Sequence, residues 1–531
     1  MLGREEQHDE YSTTGKDRVA YPQGFKPRVS QGCRSAAGCK SSKPTGSNII
    51  SVEVPTVMSQ ETKFAGLDGS TVGVDSAAVE ALRRAVHGTV LGPKDTGYRE
   101  SRTIWNRMID RKPALIVQAV DTHDVVKAVA FASERGLLLS VRAGGHNHLG
   151  FAVCEGGLMI DLTRMKNGSV DPEAGIATVG AGLTFADFDA LCHRVGMAAT
   201  GAVVSMVGLP GYLLGGGIGW LHRKAGAGCD NIVAAELVTA EGRVIEVDES
   251  RNPDLLWALR GGGGNFGVVT RFGLRLHRVK DVYAGLIFHA LEDMPRVAKF
   301  VDEFMENAPK DLNVWMLHRR APYSPFLPTS LRGRLVIALA VTYAGPLDAA
   351  DVVVGPLQRF LPPLLDLMQV RPYPEWQRTF DGIWGEGYHN EWVGHYLDTY
   401  DADAISTIQR FVSEVPSPHT DVKLARLGGA FSETGEYDTA FGFRRSRYAL
   451  VIQSRWEDPS ETEKQLHWTR QFHAAMKEYS TGKVYTNFIG QEPAERVADA
   501  YSTRTYARLR ELKKQYDPEN LFRMNINIKP A

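Results

Sequence analysis

The first clear pattern of apolar and polar positions alternates short apolar runs with helical spacing. Leu115–Val120 is an apolar run of strand length. Thr122 is expected to cap a helix whose apolar residues recur at near-helical spacing between positions 125 and 131. Gly136 ends that helix and Leu137–Val141 is the next strand, so the segment predicts a β-α-β unit.

The same kind of pattern extends this unit to about residue 280. Two apolar runs that alternate around Glu241-Gly242 predict a hairpin. The predicted elements are strands at 158–162, 176–179, 232–238, 243–247 and 268–276 and helices at 184–195 and 253–260. Residues 75–280 are therefore expected to form one α+β unit.

Outside that unit the chain changes character. Residues 281–480 hold fewer glycines, clustered prolines and aromatic stretches such as 384–400, which indicates a second domain that shapes a pocket. The last fifty residues return to a helix, predicted from Glu495 to Gln515. Residues 1–75 are polar and lack periodicity, so we expect a disordered extension that contributes little to a core. Met58 is an alternative translation start within it.

Charge and cysteine content exclude several classes of protein. The 531 residues include 61 Lys plus Arg and 62 Asp plus Glu, a net charge of −1, which leaves no basic field for nucleic acid or an anionic membrane. The five cysteines form no closely spaced pairs that could hold zinc. Neither a signal peptide nor an apolar stretch of roughly 18 residues occurs. We expect a cytoplasmic protein with no metal, no nucleic-acid partner and no membrane contact.

Glycine is the informative excess, because its 53 residues gather in short clusters. One of them, Gly262-x-Gly264-x-x-Gly267, spells the dinucleotide fingerprint, which requires a strand before it and a helix after it. Here the helix-like segment 253–260 precedes the cluster and the strand-like segment 268–276 follows it. We therefore expect a glycine turn that supports a ligand cleft, and not a nicotinamide site.

A second cluster lies directly after a predicted strand, in the segment Arg142–Gly150. The bare amides of Gly144 and Gly145 suit an anion, and His146 follows them directly. The residues alone leave three interpretations open: a histidine in a structural turn, a metal site shared with His148, or a cofactor contact.

A third cluster, Leu213–Leu221, holds four glycines and is followed by the polar residues Asp230 and Asn231. Two glycine walls in one domain suggest one extended ligand. A dinucleotide cofactor needs backbone this bare beside its pyrophosphate and ring.

In this order and spacing the clusters resemble those of the berberine-bridge-enzyme-like FAD-linked oxidases of the vanillyl-alcohol-oxidase superfamily. The matching segments are Val141–Gly150, Leu214–Leu221 with Asp230-Asn231, Leu259–Gly267, Tyr485–Phe488, Tyr516–Phe522 and Asn525–Ile528. The resemblance implies an α+β fold with a two-part FAD-binding domain of the PCMH type. A substrate domain built on an antiparallel sheet flanked by helices would be inserted in it. The implied parts are the FAD-binding domain at 76–280, the substrate domain at 281–480 and a closing C-terminal element at 481–531.

The resemblance also implies how FAD is held. His146 would be bonded through an imidazole nitrogen to the 8-methyl carbon of the flavin. Relatives with a second bond use a cysteine where this chain has Val204, and Cys192 and Cys229 are misplaced, so His146 is expected to be the single link. The implied cofactor-binding residues are Arg142, Ala143, Gly144, Gly145, Asn147, Gly150, Val207, Gly208, Gly211, Gly215, Gly216, Gly217, Gly219, Trp220, Asp230, Asn231, Val238, Asn487, Asn525 and Asn527.

Tyr485 and Gln453 are the candidate catalytic residues. In the resembled family a tyrosine at the position of Tyr485 removes the substrate proton, and a strand here would place Asn487 on the same face. Otherwise Tyr485 is a buried aromatic with a satisfied hydroxyl. Relatives also place a glutamate or glutamine on the strand before Trp456; Gln453 is two residues from the expected place, which Val451 occupies. The residues expected either to line the substrate cavity or to form an unrelated aromatic cluster are Trp384, Tyr388, His389 and Trp392.

The function implied by the resemblance is an FAD-dependent oxidase of an alcohol, a sugar or an amine. It would transfer a hydride to flavin N5, and dioxygen would reoxidise the flavin to give hydrogen peroxide. Val207 matches the position at which a small β-branched residue admits dioxygen, which favours an oxidase over a dehydrogenase that uses another acceptor. The alternatives are a flavin-dependent oxidative cyclase and a binding protein without catalysis. The expected partners are a small-molecule substrate and dioxygen, and the oligomeric state is not predicted.

Overall fold

The structure, a computed structural model, describes residues 61–490 and 494–531. In chain order its strands are β1 (Glu61–Ala65), β2 (Thr71–Asp75), β3 (Thr89–Leu91), β4 (Leu115–Gln118), β5 (Leu139–Arg142), β6 (Leu158–Asp161), β7 (Gly168–Asp171), β8 (Ile176–Gly180), β9 (Met197–Ala198), β10 (Ile232–Val238), β11 (Val244–Asp248), β12 (Val268–Arg275), β13 (His277–Arg278), β14 (Asp281–Ala290), β15 (Leu312–Arg320), β16 (Leu335–Tyr343), β17 (Leu365–Asp366), β18 (Gln369–Pro372), β19 (His389–Leu397), β20 (Asp421–Arg426) and β21 (Tyr448–Trp456).

The α-helices connect these strands and cover the sheets. They are α1 (Ser76–Ala85), α2 (Tyr98–Arg102), α3 (Thr122–Ser133), α4 (Phe185–His193), α5 (Leu209–Leu214), α6 (His222–Ala225), α7 (Pro253–Leu259), α8 (Met294–Glu306), α9 (Ala350–Arg359), α10 (Tyr373–Gln377), α11 (Ala402–Ser413), α12 (Ala430–Glu433), α13 (Thr462–Met476) and α14 (Thr503–Tyr516). No helix in residues 61–490 and 494–531 is both long enough and apolar enough to cross a membrane.

The strands before residue 280 form two larger sheets, besides the two-stranded pairs β1-β2 and β9-β13. The first has the order β3-β4-β6-β5, in which β4 and β5 both run parallel to β6, so the predicted β-α-β unit around α3 is confirmed. The second has the order β11-β10-β12-β8-β7 and contains the predicted hairpin, β10 with β11. The cap of α3 was predicted one residue too late: the Asp121 carboxylate accepts from the backbone N–H of Asp124, because a short acceptor immediately before the first turn reaches its free N–H groups.

The expectation that residues 1–75 contribute little to a core is wrong for residues 61–75. Strands β1 and β2 pair antiparallel, and Phe64 and Val74 are buried in the main core. Arg523 donates to the carbonyl of Leu67 at 2.6 Å, which ties the turn of this hairpin to the C-terminal segment. A strand with one or two inward side chains is too short to show periodicity in the sequence. Residues 1–60, including the alternative start at Met58, lie outside the described residues.

The strands after residue 280 form one large antiparallel sheet. Its order is β17-β14-β16-β15-β20-β21-β19, with β18 paired to β14 beside β17. Helices α8, α11 and α13 pack on one face, where Met316, Leu424 and Ile452 belong to a separate apolar cluster. The opposite face looks toward the first two sheets and carries side chains such as Trp315. The predicted α+β fold, with an antiparallel sheet flanked by helices, is confirmed; the domain boundaries stay a prediction.

The C-terminal segment differs from its prediction in two places. The helix is shorter, since α14 follows a separate 3-10 helix, Ala494–Ala500. Tyr485 and Asn487 do not lie on a strand, because Thr486–Phe488 is a 3-10 turn whose backbone bonds are local: the Phe488 N–H donates to the carbonyl of Tyr485 at 2.8 Å.

A buried lysine ties the end of the chain to the main core. Lys513 donates to Asp517 at 2.6 Å, to the carbonyl of Asn265 at 2.8 Å and to the carbonyl of Phe522 at 3.0 Å. These three bonds use all the donors of the ammonium group, which is fully buried. The C-terminal segment is therefore attached directly to the glycine turn at residues 261–267.

Candidate cofactor and substrate cavity

One cavity of about 320 Å³ lies where the first two sheets, the large sheet and the C-terminal segment meet. Thirteen of the predicted site residues line it: Ala143, Gly144, Gly145, His146, Asn147, Val207, Gly208, Gly211, Gly215, Gln453, Tyr485, Asn487 and Asn525. They come from positions more than 380 residues apart in the chain, from Ala143 to Asn525. Separate glycine motifs thus converge on one space.

The glycine cluster in Arg142–Gly150 passes directly against the loop before α5. A Cβ built on Gly144 would lie 2.3 Å from the backbone nitrogen of Gly208, and a Cβ on Gly208 would lie 2.3 Å from that of Gly144. No side chain fits at either position, because ordinary carbon–nitrogen contacts need more than 3 Å. Gly145 has a φ of 67°, a left-handed conformation that favours glycine. The two loops are held at backbone contact beside the cavity.

The glycine cluster in Leu213–Leu221 packs against the C-terminal segment. Gly215 lines the cavity, and its carbonyl accepts from the Thr486 hydroxyl at 2.5 Å. Gly217 has a φ of 97° and donates its N–H to the Tyr485 hydroxyl at 2.8 Å. A Cβ on Gly219 would lie 1.7 Å from the carbonyl oxygen of Gly201. This cluster therefore positions the C-terminal segment as well as the cavity.

The glycine cluster at Gly262–Gly267, which was predicted as a supporting turn, also lines the cavity. Gly262, Gly263, Gly264 and Gly267 all contribute to its surface. Asn525 donates to the carbonyl of Gly264 at 3.2 Å, while its own Oδ1 is buried and has no partner among the described residues. An unpartnered buried acceptor beside glycine backbone fits a ligand that carries donors, such as the ring N–H or the ribityl hydroxyls of a flavin nucleotide.

His146 lies half-buried on the cavity surface. Its ring stacks on Trp105, with centroids 5.3 Å apart. Burial, with the nearby positive charge of Arg455, lowers the pKa of His146 to about 3, so the imidazole is neutral at physiological pH. His148 stacks instead on Trp392 at 5.0 Å. Among the described residues, no Cys, Asp, Glu or further His joins this pair in a group of three possible metal ligands.

Tyr485 is a neutral, buried phenol whose oxygen accepts two hydrogen bonds. One comes from Gly217 and the other from Asn487 Nδ2 at 2.7 Å. Burial raises the pKa of Tyr485 well above its usual range, and these two donors act in the opposite direction. The 3-10 turn brings Tyr485 and Asn487 together as closely as the predicted strand would have done, by a different route.

Gln453 lines the cavity from β21, and Val451 is not among the lining residues. Its Oε1 accepts from Lys423, and its Nε2 donates to Asn390 at 3.3 Å. A carboxamide held this way is not a proton acceptor for catalysis. Lys423, on the neighbouring strand β20, also lines the cavity and was missed by the sequence analysis. The sequence signal that could have identified Lys423 is the strand itself, in which the charged residues Asp421 and Lys423 alternate with Val422 and Leu424.

Tryptophans form the large-sheet side of the cavity. Of the four aromatic candidates, Trp384 and Trp392 line it, whereas Tyr388 and His389 do not. Trp105 and Trp315, which no motif marked, line it as well. The rings of Trp105 and Trp392 meet edge to face at 5.3 Å, so the aromatic surface continues from His146 to the large sheet.

The structure does not bring the remaining predicted residues to the cavity surface. They are Arg142, Gly150, Gly216, Gly217, Gly219, Trp220, Asp230, Asn231, Val238 and Asn527. Several of them support the fold around it. Asp230 forms a buried ion pair with Arg444 at 2.6 Å, Asn231 donates to the carbonyls of two alanines at the end of α6 and just after it, and Trp220 packs against Trp315 at 5.4 Å. Their assignment as cofactor-binding residues stays a prediction.

Known proteins are similar to this chain in architecture and in sequence. A family model described as an FAD binding domain matches residues 113–248, and one described as berberine and berberine like matches residues 484–529. The (R)-6-hydroxynicotine oxidase of Paenarthrobacter nicotinovorans is 31% identical over 467 residues, which cover 84% of this chain and 97% of that protein. An FAD-linked oxidoreductase of Dictyostelium discoideum is 30% identical over 456 residues, which cover 85% of this chain and 97% of that protein.

A solved structure agrees with these matches. The crystal structure of 6-hydroxy-D-nicotine oxidase from Arthrobacter nicotinovorans superposes with a TM-score of 0.77 at 27% identity, covering 84% of this chain and 98% of that one. This chain therefore belongs to the berberine-bridge-like FAD-linked oxidoreductases, as its glycine motifs predicted, and its cofactor is FAD.

The backbone contact between Gly144 and Gly208 generates a first prediction. Gly144→Ala should destabilise the protein by about 1–3 kcal/mol, the usual cost of overpacking, and should reduce the ratio of bound FAD to polypeptide because the two loops must separate. Thermal unfolding and the absorbance ratio of flavin to protein measure both effects. Gly382→Ala is the control, since a Cβ there meets nothing within 4 Å. Equal FAD content in the two variants would contradict the prediction.

Proposed function

We propose that the protein is an FAD-dependent oxidase of a small alcohol, sugar or amine. Bound FAD would supply the redox chemistry, since its N5 would accept a hydride from the substrate carbon and dioxygen would accept the electrons in turn to give hydrogen peroxide. The observation that carries the proposal is the cavity itself, in which a glycine-lined cleft and neutral His146 continue into a chamber lined by Tyr485 and tryptophans. The relative named as an oxidase of (R)-6-hydroxynicotine supports the oxidase over other classes.

The residues present fit FAD. Gly144, Gly145 and the glycines at 262–264 offer backbone without side chains, and Asn525 offers an unpartnered acceptor. We propose that His146 holds the cofactor through a bond from an imidazole nitrogen to the 8-methyl carbon. Its lowered pKa supports this, because only the neutral ring has a nitrogen lone pair free to form that bond. Among the cavity-lining residues there is no cysteine that could form a second bond.

Tyr485 is the proposed proton acceptor for the substrate hydroxyl or amine. The two N–H donors of Gly217 and Asn487 favour the phenolate form of Tyr485, the form whose oxygen can take the substrate proton. Burial opposes the phenolate, so its population and the rate of flavin reduction are both expected to rise with pH. Gln453 orients Lys423 and takes no proton itself. Val207, which lines the cavity beside Gly208, is the proposed route for dioxygen.

An aerobic and anaerobic substrate screen tests the proposed function. Alcohols, sugars and amines are mixed with the purified flavoprotein without oxygen, and loss of flavin absorbance identifies a substrate. Admission of oxygen should restore the absorbance and release one hydrogen peroxide per reduced flavin. Reduction followed by slow reoxidation without peroxide would instead assign a dehydrogenase, and a product that carries a newly closed ring would assign an oxidative cyclase.

The attachment of FAD generates a prediction for His146. In the native protein, flavin fluorescence should stay with the polypeptide after acid denaturation and electrophoresis. His146→Ala should release the flavin completely, since no other bond holds it. His148→Ala is the matched control: it removes a neighbouring histidine whose pKa burial also lowers to about 3, and it should keep the fluorescent band. Free flavin from the native protein would refute the covalent bond.

Removal of the phenolic oxygen tests Tyr485. Tyr485→Phe should slow anaerobic flavin reduction by roughly 10²-fold, the usual loss when a general base is removed. Tyr501→Phe is the control, because Tyr501 is also a buried tyrosine at the cavity, with its hydroxyl on the carbonyl of Gly261 at 3.2 Å. Stopped-flow reduction at saturating substrate separates the two variants. Unchanged reduction in Tyr485→Phe would remove this residue from the reaction.

A further inference from the structure

Four charged side chains are buried on the face of the large sheet that looks toward the cavity. They are Arg319 on β15, Asp421 and Lys423 on β20, and Arg455 on β21, none more than 6% exposed. Register explains their proximity, since Arg319 lies opposite Asp421 and Asp421 lies opposite Gln453. Alternate residues of adjacent strands share a face, so all four point to the same side of the sheet.

The charges of this cluster do not cancel. Its one carboxylate, Asp421, forms an ion pair with Lys423 at 2.7 Å and accepts hydrogen bonds from Trp384 Nε1 at 2.5 Å and from Arg319 at 3.2 Å. The Nε and one terminal nitrogen of Arg455 are buried without a partner among the described residues. Three cations therefore share one anion. Burial of uncompensated charge is unfavourable, so this surface is suited to a further anion.

Lys423 is the cation that reaches the cavity. An ammonium group has three N–H donors, and two of them are taken by Asp421 and Gln453. Its Nζ lies 4.4 Å from the ring centre of Trp384 and 6.0 Å from that of Trp392. The remaining donor is thus directed among tryptophan rings that line the cavity. A flat ring with an acceptor at its edge matches this arrangement.

We propose that Lys423 binds an anionic oxygen group, such as a carboxylate, of an aromatic substrate whose ring packs against Trp384 and Trp392. This inference rests on the proposed function and adds the class of substrate. The aromatic surface runs from His146 through Trp105 to Trp392, so the anionic end of the substrate would lie beside the last of these rings, where Lys423 Nζ is 6.0 Å from Trp392. Arg319 and Arg455, on the same face of the sheet, add positive potential.

Binding of matched neutral and anionic ligands tests the proposal. Benzoate and benzamide have the same ring and nearly the same shape, and their binding to the FAD-loaded protein is followed by the change in flavin absorbance. Benzoate should bind at least about tenfold more tightly, as expected for a hydrogen bond to a charged partner. Phenylacetate against phenylacetamide repeats the comparison with a longer reach.

Substitutions locate the effect. Lys423→Met should abolish the preference for benzoate, and Lys423→Arg should keep it. Lys166→Met is the control for loss of one positive charge, because Lys166 is exposed and pairs with Asp187 away from the cavity. Its preference for benzoate should match that of the native protein. A preference that survives in Lys423→Met would overturn the assignment of Lys423.

The comparison in the native protein decides the inference even if Lys423→Met does not fold. Equal affinity for benzoate and benzamide, or no binding of either carboxylate at millimolar concentration, overturns it. Because the measurement is binding and not turnover, it also separates the two proposals. Selective benzoate binding with no peroxide from any substrate would retain this inference and refute the oxidase.

Discussion

The contact between the backbones of Gly144 and Gly208 is the constraint on which the cavity depends. At this point two loops approach until no Cβ fits between them. The loop of Gly144 carries His146, and the loop of Gly208 leads into α5 and on to the glycines that receive the C-terminal segment. One close approach therefore sets the relative positions of the histidine, of Tyr485 and of the lining glycines between them.

Prediction from sequence was most successful where a residue type has few physical alternatives. Glycine at Gly144 and Gly217 reflects close approach or a left-handed backbone, and both can be inferred from clustering. It failed where the same local pattern has two outcomes. Tyr485 and Asn487 meet on a 3-10 turn and not on a strand, because alternate residues on a strand and neighbouring residues in a tight turn can both converge. The hairpin at residues 61–75 was missed because its few inward residues form no detectable period.

Lys423 shows a different limit of prediction. On a strand that reads Asp-Val-Lys-Leu-Ala-Arg, charged residues at alternate positions normally indicate a face in contact with water. Here that face is buried, because the first two sheets and the C-terminal segment cover it. No local pattern distinguishes these cases, since the covering elements lie in other segments of the chain. The same holds for Trp105, whose position beside His146 depends on a long-range contact.

Along the strands of the large sheet, alternate residues have two different roles: one set packs against the helices and the other faces the cavity. Residues such as Met316, Leu424 and Ile452 pack against α8, α11 and α13 and hold the sheet together. Their immediate neighbours in sequence face the cavity, on the side opposite the helices. Cavity-facing positions can therefore be exchanged without disturbing the helix-packed face. Such a sheet allows a lineage of enzymes to change substrates by single steps at alternate positions while the cofactor cleft, built from other segments, stays unchanged.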